Sequence, residues 1–299
     1  MSAAPVIAAV DGSEDSVRAL EWALDDARRR AAPLRIVHVR QYAPWGQEDV
    51  LVADDTEQDG DPVLDEVRTL LRDREDVPET EYVTVEGAPA AVLPELGADA
   101  QLLVLGSRGR GGFTGLLLGS NGVAAARDAP CPVVVVPRPG REVDAEPAEP
   151  GPRVVVGLHV DHPDEASLDF AFAAAELRDA RVQVIAAYPW PVQSWSAPGQ
   201  LVPPAVDQAA VETETRALAD TCLAPYRERH PGVRTDTEAL PGGAAGLLVG
   251  ASAGADLVVV GRHRRRPLAP APMLGSVTHA VLLHAACPVA VVPPVPTDE

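Results

Sequence analysis

The chain contains no lysine: all 25 of its basic residues are arginine. That absence excludes two mechanisms. A lysine Schiff base cannot form, and a phosphate loop of the form G-x-x-x-x-G-K-[ST] cannot exist, because its lysine is the residue that reaches the terminal phosphates. Cysteine is scarce as well. The three present, Cys131, Cys222 and Cys287, are far apart and odd in number, so they read as buried or free thiols in a reducing compartment and not as a disulfide framework. No apolar run approaches the length of a membrane span, and Met1 to Pro5 leads into Val6–Val10 without a basic segment, so a cytoplasmic chain with no membrane contact is expected. Positive charge is in deficit overall. A formal net charge of −19 argues against the broad basic surface from which nucleic-acid binding draws most of its affinity, and reads as a solubility feature.

What is there is a repeat. The 299 residues, 46% of them hydrophobic, are enough to fill two cores, and the sequence matches itself at a spacing of roughly 150 residues, the length of a duplicated domain. Val6–Val10 matches Val154–Gly157, the QLLVLG of Gln101–Gly106 matches the DLVVVG of Asp256–Gly261, and the APCPVVVVP of Ala129–Pro137 matches the ACPVAVVP of Ala286–Pro293. Between the copies, RPGREVDAEPAEPGP is rich in proline, glycine and acids without apolar periodicity, as a solvated linker is. The expected division is a first domain over 1–140, a linker over 141–152 and a second domain over 153–299.

In the first half, continuous apolar runs at Val6–Val10, Leu34–Val39, Leu102–Leu105 and Val133–Val136 alternate with helical patterns at Ser16–Arg30, Asp61–Arg74, Ala88–Ala98 and Ser120–Asp128. Strands buried on both faces and separated by helices predict an α/β fold built on a parallel sheet. Such sheets take ligands beyond the carboxyl ends of the strands, at the switch point of strand order.

The loop leaving the fourth strand, from Gly106 through Gly109 to Gly119 and Ser120, is dense in glycine and leads into a helix that Ser120 is placed to cap. Glycines bring backbone N–H groups close to an anion and a helix N-terminus adds partial positive charge, so a chain without lysine holds a phosphate naturally this way. Arg108 and Arg110 either assist or are solvated. The spacing G-x2-G-x9-G-[ST] resembles the nucleotide-binding signature of the ATP-binding universal stress proteins. The flanking segments resemble that family too: Val10-Asp-Gly-Ser13, His38-Val39, the Val85-Glu-Gly87-Ala-Pro89 turn and the closing APCPVVVVP. The resemblance spans nearly the whole chain, twice. It implies two tandem Rossmann-like, adenine-nucleotide-hydrolase-like domains, each a five-stranded parallel sheet flanked by helices. It further implies ATP, alone or with Mg2+, as the ligand, with Asp11 on the ribose, the Val39 backbone on the base, and Gly106, Arg108, Gly109, Gly119 and Ser120 on the phosphates. Asp11 has a second reading from position alone, as the cap of the following helix. Asn121 either adds a polar contact or only loosens the first helical turn.

The second half departs from the pattern. His159 stands where the first half has Asp11, and an imidazole cannot offer two acceptor oxygens to a ribose. Arg264 replaces the second glycine, one residue is inserted, and Pro267, Pro270 and Pro272 supply no N–H, so the phosphate cradle is expected to be lost there although Gly242, Gly261, Gly275 and Ser276 persist. The arginines of 262–266 either hold another anion or form a solvated loop. His159, Asp161, His162, Asp164 and Glu165 could ligate a metal, but read first as turn and cap residues, and Cys131 and Cys287 read as packing. The expectation is a regulatory nucleotide binder, not an enzyme, with slow ATP hydrolysis left open. The alternative is a nucleotide-independent interaction platform. The apolar closing strands Val133–Val136 and Val289–Val292 are expected to pair, giving an intramolecular pseudo-dimer or a homodimer.

Overall fold

A computed structural model of the chain describes residues 3–41, 60–109, 118–141, 143, 149–189, 207–262 and 274–295. It divides into two compact units, Met1–Arg138 and Pro139–Glu299.

In the first unit β1 (Val6–Val10), β2 (Leu34–Arg40), β3 (Thr80–Glu86), β4 (Leu102–Gly106) and β5 (Val133–Val136) form one parallel sheet in the order β3-β2-β1-β4-β5. The connections carry α1 (Glu14–Arg29), α2 (Pro62–Leu71), α3 (Pro89–Leu96) with a 3-10 turn after it, and α4 (Ser120–Asp128). The apolar runs are the central strands for the expected reason. Val6, Ile7, Ala8 and Leu102, Leu103, Val104 have no accessible surface, because both faces of a wound parallel sheet are covered. Helix α1 buries Ala19, Leu20, Ala23, Leu24 and Ala27, a stripe at helical spacing. The edge strand β3 instead mixes exposed and half-buried residues, and none of its residues is fully buried.

The second unit repeats the plan. Strands β6 (Arg153–Leu158), β7 (Arg181–Tyr188), β8 (Thr235–Pro241), β9 (Leu257–Gly261) and β10 (Val289–Val292) form a parallel sheet in the order β8-β7-β6-β9-β10. Its helices are α5 (Glu165–Glu176), α6 (Gln208–Arg229), α7 (Ala244–Ala251) and α8 (Ser276–His284). Phe172 is its largest fully buried side chain and stacks on Tyr226 with ring centroids 5.4 Å apart. Glu149, in the segment ahead of β6, pairs with Arg234 at 2.9 Å, so that end of the proline-rich segment is tied to the second unit. Among the described residues no helix is long and apolar enough to cross a membrane.

Candidate functional site

The first unit parts its strands at their carboxyl ends. The β1–β4 ladder stops at Ala8 opposite Val104, while β4 runs on to Gly106; the β1–β2 ladder stops at Val10 opposite His38, leaving Val39 one residue beyond it. This is the switch point of the strand order, and Asp11 emerges into it directly from β1.

Asp11 is held by the turn that starts α1. Its Oδ1 accepts the Ser13 N–H at 3.0 Å and the Ser13 hydroxyl at 2.6 Å. Ser13, not Asp11, caps the helix: its Oγ accepts the Ser16 N–H at 3.2 Å. The helix therefore opens at Glu14, earlier than the apolar spacing implied. The other oxygen of Asp11 faces Gly109, where a Cβ would overlap Asp11 Oδ2. The acid after β1 and the second glycine of the loop are thus in direct contact, and any larger residue at 109 would displace one of them.

The loop has a closed neck. Ser107 is buried, its N–H donates to the Val136 carbonyl at 2.9 Å, and its own carbonyl accepts the Gly119 N–H at 2.8 Å. Helix α4 then begins at Ser120 with Gly119 as its N-cap and no side-chain capping bond. This corrects the capping role expected of Ser120, which is the exposed first residue of the helix. Gly119 has no side chain with which to bond the first N–H groups of the helix. Gly106 has a different reason to be glycine: a Cβ there would lie 2.6 Å from the carbonyl carbon and oxygen of Asp15, so it permits the close approach of β4 to α1. Arg110 lies outside the described residues, as do Arg264 and Pro267, Pro270 and Pro272 of the second unit.

Two clusters beside the site were not legible in the sequence. Asp15 is 1% exposed; its Oδ1 accepts from Arg138 Nε at 2.7 Å and from Arg18 Nη2, and its Oδ2 accepts from Ser107 Oγ at 3.2 Å. Asp61, the N-cap of α2, accepts from His38 Nδ1 at 2.7 Å and Thr84 Oγ1 at 2.8 Å, and from the N–H groups of Val63 and Leu64. Burial alone would raise its pKa. The donors, His38 first and then Thr84 and the Leu64 N–H, outweigh that and hold the carboxyl down at about 2. A cavity of about 340 Å³ opens beside it, lined by Arg40, Arg68, Tyr82 and Thr84 among others.

In the second unit the β6–α5 turn carries no counterpart of this arrangement. His159 and His162 are exposed and their rings stack at 5.4 Å. Asp164 turns inward, with its Oδ2 in the space where a Cβ on Gly261 would lie, and accepts the Ser167 hydroxyl at 2.8 Å. Among the described residues no group of three or more His, Cys, Asp or Glu is arranged to hold a metal ion.

Comparison with known proteins agrees with this architecture. The profile of the Universal stress protein family matches residues 4–137 and again 151–293. The universal stress protein Rv2005c of Mycobacterium tuberculosis is 33% identical over 298 residues, covering 96% of each chain, and Rv2624c of the same organism is 27% identical over 292 residues, covering 96% of this chain and 95% of its own. Among solved structures, a universal stress protein from Archaeoglobus fulgidus covers 99% of this chain and 97% of its own with a TM-score of 0.66 at 18% identity. A putative one from Pseudomonas aeruginosa covers 98% of this chain and 94% of its own with a TM-score of 0.62, also at 18% identity. At such identity these two similarities speak to the fold alone.

Proposed function

This chain belongs to the universal stress protein family, and from that premise we propose that its first unit binds an adenine nucleotide, ATP foremost, as a regulatory element of a stress response with little or no catalysis. The observation that carries the reading is the contact between Asp11 and Gly109, which brings the acid after β1 and the glycine loop to one place at the switch point.

Asp11 accepts the ribose hydroxyls, the Val39 backbone beyond the β1 ladder meets the base, and Gly109, Gly119 and Ser120, with Arg108, surround the phosphates. The uncapped start of α4 supplies N–H donors and a partial positive charge for them. Gly106 supports the site by letting β4 close on α1. Mg2+, where it accompanies ATP, would be held chiefly by the phosphates. The same reading places the protein in the cytoplasm and uses the all-valine β5, an edge strand of its unit's sheet, as a pairing surface, either with β10 as a pseudo-dimer within one chain or between chains. Light scattering on the full chain and on its separate halves tests that pairing; halves that fold but never associate would remove it.

Calorimetry with ATP tests the binding. The wild type should saturate below millimolar nucleotide, and Gly109→Ala/Gly119→Ala should not. A wild type that shows no saturation at millimolar ATP overturns the proposal.

A further inference from the structure

We infer that Asp15 is a positioning residue of the nucleotide site: it touches no ligand but holds Ser107, and through Ser107 keeps the neck of the glycine loop closed. The inference rests on the nucleotide reading of that loop for its functional consequence, though the clamp itself is independent of any ligand.

Ser107 ties both ends of the loop. Its N–H is fixed to β5 through Val136, its carbonyl receives the Gly119 N–H that starts α4, and its hydroxyl reaches across to Asp15 on α1. The hydroxyl contact adds a side-chain tie to those two backbone bonds. Asp15 is in turn held from several sides. Its carboxylate is gripped by Arg18 from its own helix and Arg138 from the end of β5, and its backbone lies against Gly106, where a side chain would not fit. Helix α1, the end of β4 and the end of β5 therefore meet at one buried carboxylate, and the last group attached to it is the residue that opens the loop.

A carboxylate that is 1% exposed is costly to bury unless its oxygens are fully used, and here two arginines and a hydroxyl use them. An acid placed in the first turn merely to favour the helix dipole would stand at the surface, as Glu14 beside it does. The second unit builds this corner differently. The residue leaving β9 is Arg262, so the hydroxyl that Ser107 supplies has no counterpart there, and the carboxylate over Gly261 is that of Asp164, which accepts from Ser167 of its own helix.

The experiment reads two things in the full chain. The first is amide exchange of Gly119, whose N–H closes the neck, in the absence of nucleotide. Asp15→Ala should raise it about tenfold, while the Val104 amide in the core stays unchanged, because the loss is local. Asp15→Asn, whose oxygen can face the two arginines while its NH2 donates to the Ser107 hydroxyl, should restore part of the protection. The second is ATP affinity by calorimetry, expected to fall about tenfold in Asp15→Ala and less in Asp15→Asn, the loss of one ordered hydrogen bond to a charged group. If Asp15→Ala does not fold, Ser107→Ala, which leaves both arginine pairs in place, should shift both readouts in the same direction. Unchanged Gly119 exchange in whichever variant folds overturns the clamp. Faster exchange with unaltered ATP affinity overturns its role in binding. Should the wild type fail to bind ATP, the binding proposal falls and the exchange result alone decides whether Asp15 closes the neck.

Discussion

The two units each repeat the same strand order and differ where their strands end. In the first, three residues, Asp11–Ser13, join β1 to α1, and the turn is drawn tight enough that Asp11 touches the glycine loop. In the second, six residues, His159–Asp164, join β6 to α5; the helix starts a turn later and the space over Gly261 is filled by Asp164. Both units keep a glycine at the end of the fourth strand, yet for different neighbours: Gly106 makes room for a helix backbone, Gly261 for a carboxylate. The fold is stored in strands that cannot change without losing a core, and the site in turns that can. A duplicated domain thus keeps its architecture in both copies while the chemistry at one switch point is rebuilt.

The comparison breaks most easily at Asp11 and His159. Asp11→Ala removes the acceptor at the switch point and also the partner of the Ser13 N–H and hydroxyl, and should weaken ATP binding by about a hundredfold, on the order of two charge-assisted hydrogen bonds. His159→Ala should leave affinity within about twofold, and the wild type should take up one nucleotide per chain. Titration calorimetry gives affinity and stoichiometry together. Two sites per chain, or equal losses from the two substitutions, would mean that the second unit is a working site despite its imidazole.

A smaller effect separates the helices after the second strands. Asp61 caps α2 and also receives His38 and Thr84, whereas Asp207 caps α6 from an exposed position by accepting the Ala209 and Ala210 N–H groups. Asp61→Ala should cost about 2 kcal/mol in a urea unfolding experiment, and Asp207→Ala only a fraction of that. The pH dependence has a definite sign. The folded pKa of Asp61, about 2, lies below its ordinary 3.8, so its contribution is complete above that ordinary value and is lost as pH falls from there toward 2. The stability gap between wild type and Asp61→Asn should be constant near neutrality and shrink across that acid window. A gap that stays level down to pH 2 would mean that the ionised carboxylate is not what the donors stabilise.

These cases show what the sequence could and could not convey. Val6–Val10 and Leu102–Leu105 were legible because strands buried on both faces must be apolar without interruption. The third strand, Thr80–Glu86, does not stand among those runs because an edge strand half in water mixes exposed and half-buried residues instead. That Asp11 and Gly109 stand close together was legible because each closely follows the end of a neighbouring strand. That Gly119 and not Ser120 is the cap depends on one residue's backbone angles, which composition does not encode. Asp15 was hidden for a related reason: in sequence, an acid in a first turn looks the same whether it faces water or holds Arg138 from 123 residues away. His38 and Asp61 are likewise joined only by the pairing of their elements.

The finest distinction between the units lies at Cys131 and Cys287, equivalent thiols ahead of the last strands, set against Cys222 on α6. Burial, reinforced by the negative charge of Asp256, pushes the Cys287 thiol up to about 12, so almost none of it is thiolate at neutral pH. Cys131 is 5% exposed and its sulfur lies 2.9 Å from where a Cβ on Gly97 would be, a packed position closed to reagents. Cys222 is half-buried, its Sγ 3.8 Å from the Val160 carbonyl in the β6–α5 turn. Alkylation by iodoacetamide at pH 8, followed by peptide mass spectrometry, should modify Cys222 at least about tenfold faster than either buried thiol, because reagent reaches it more easily, with the raised Cys287 thiol slower still. If the β6–α5 turn is as tight as its shorter counterpart after β1, Cys222 should be shielded and all three should react at similar slow rates. Rapid labelling of Cys222 alone would instead fix the looser turn as a property of the second unit in solution.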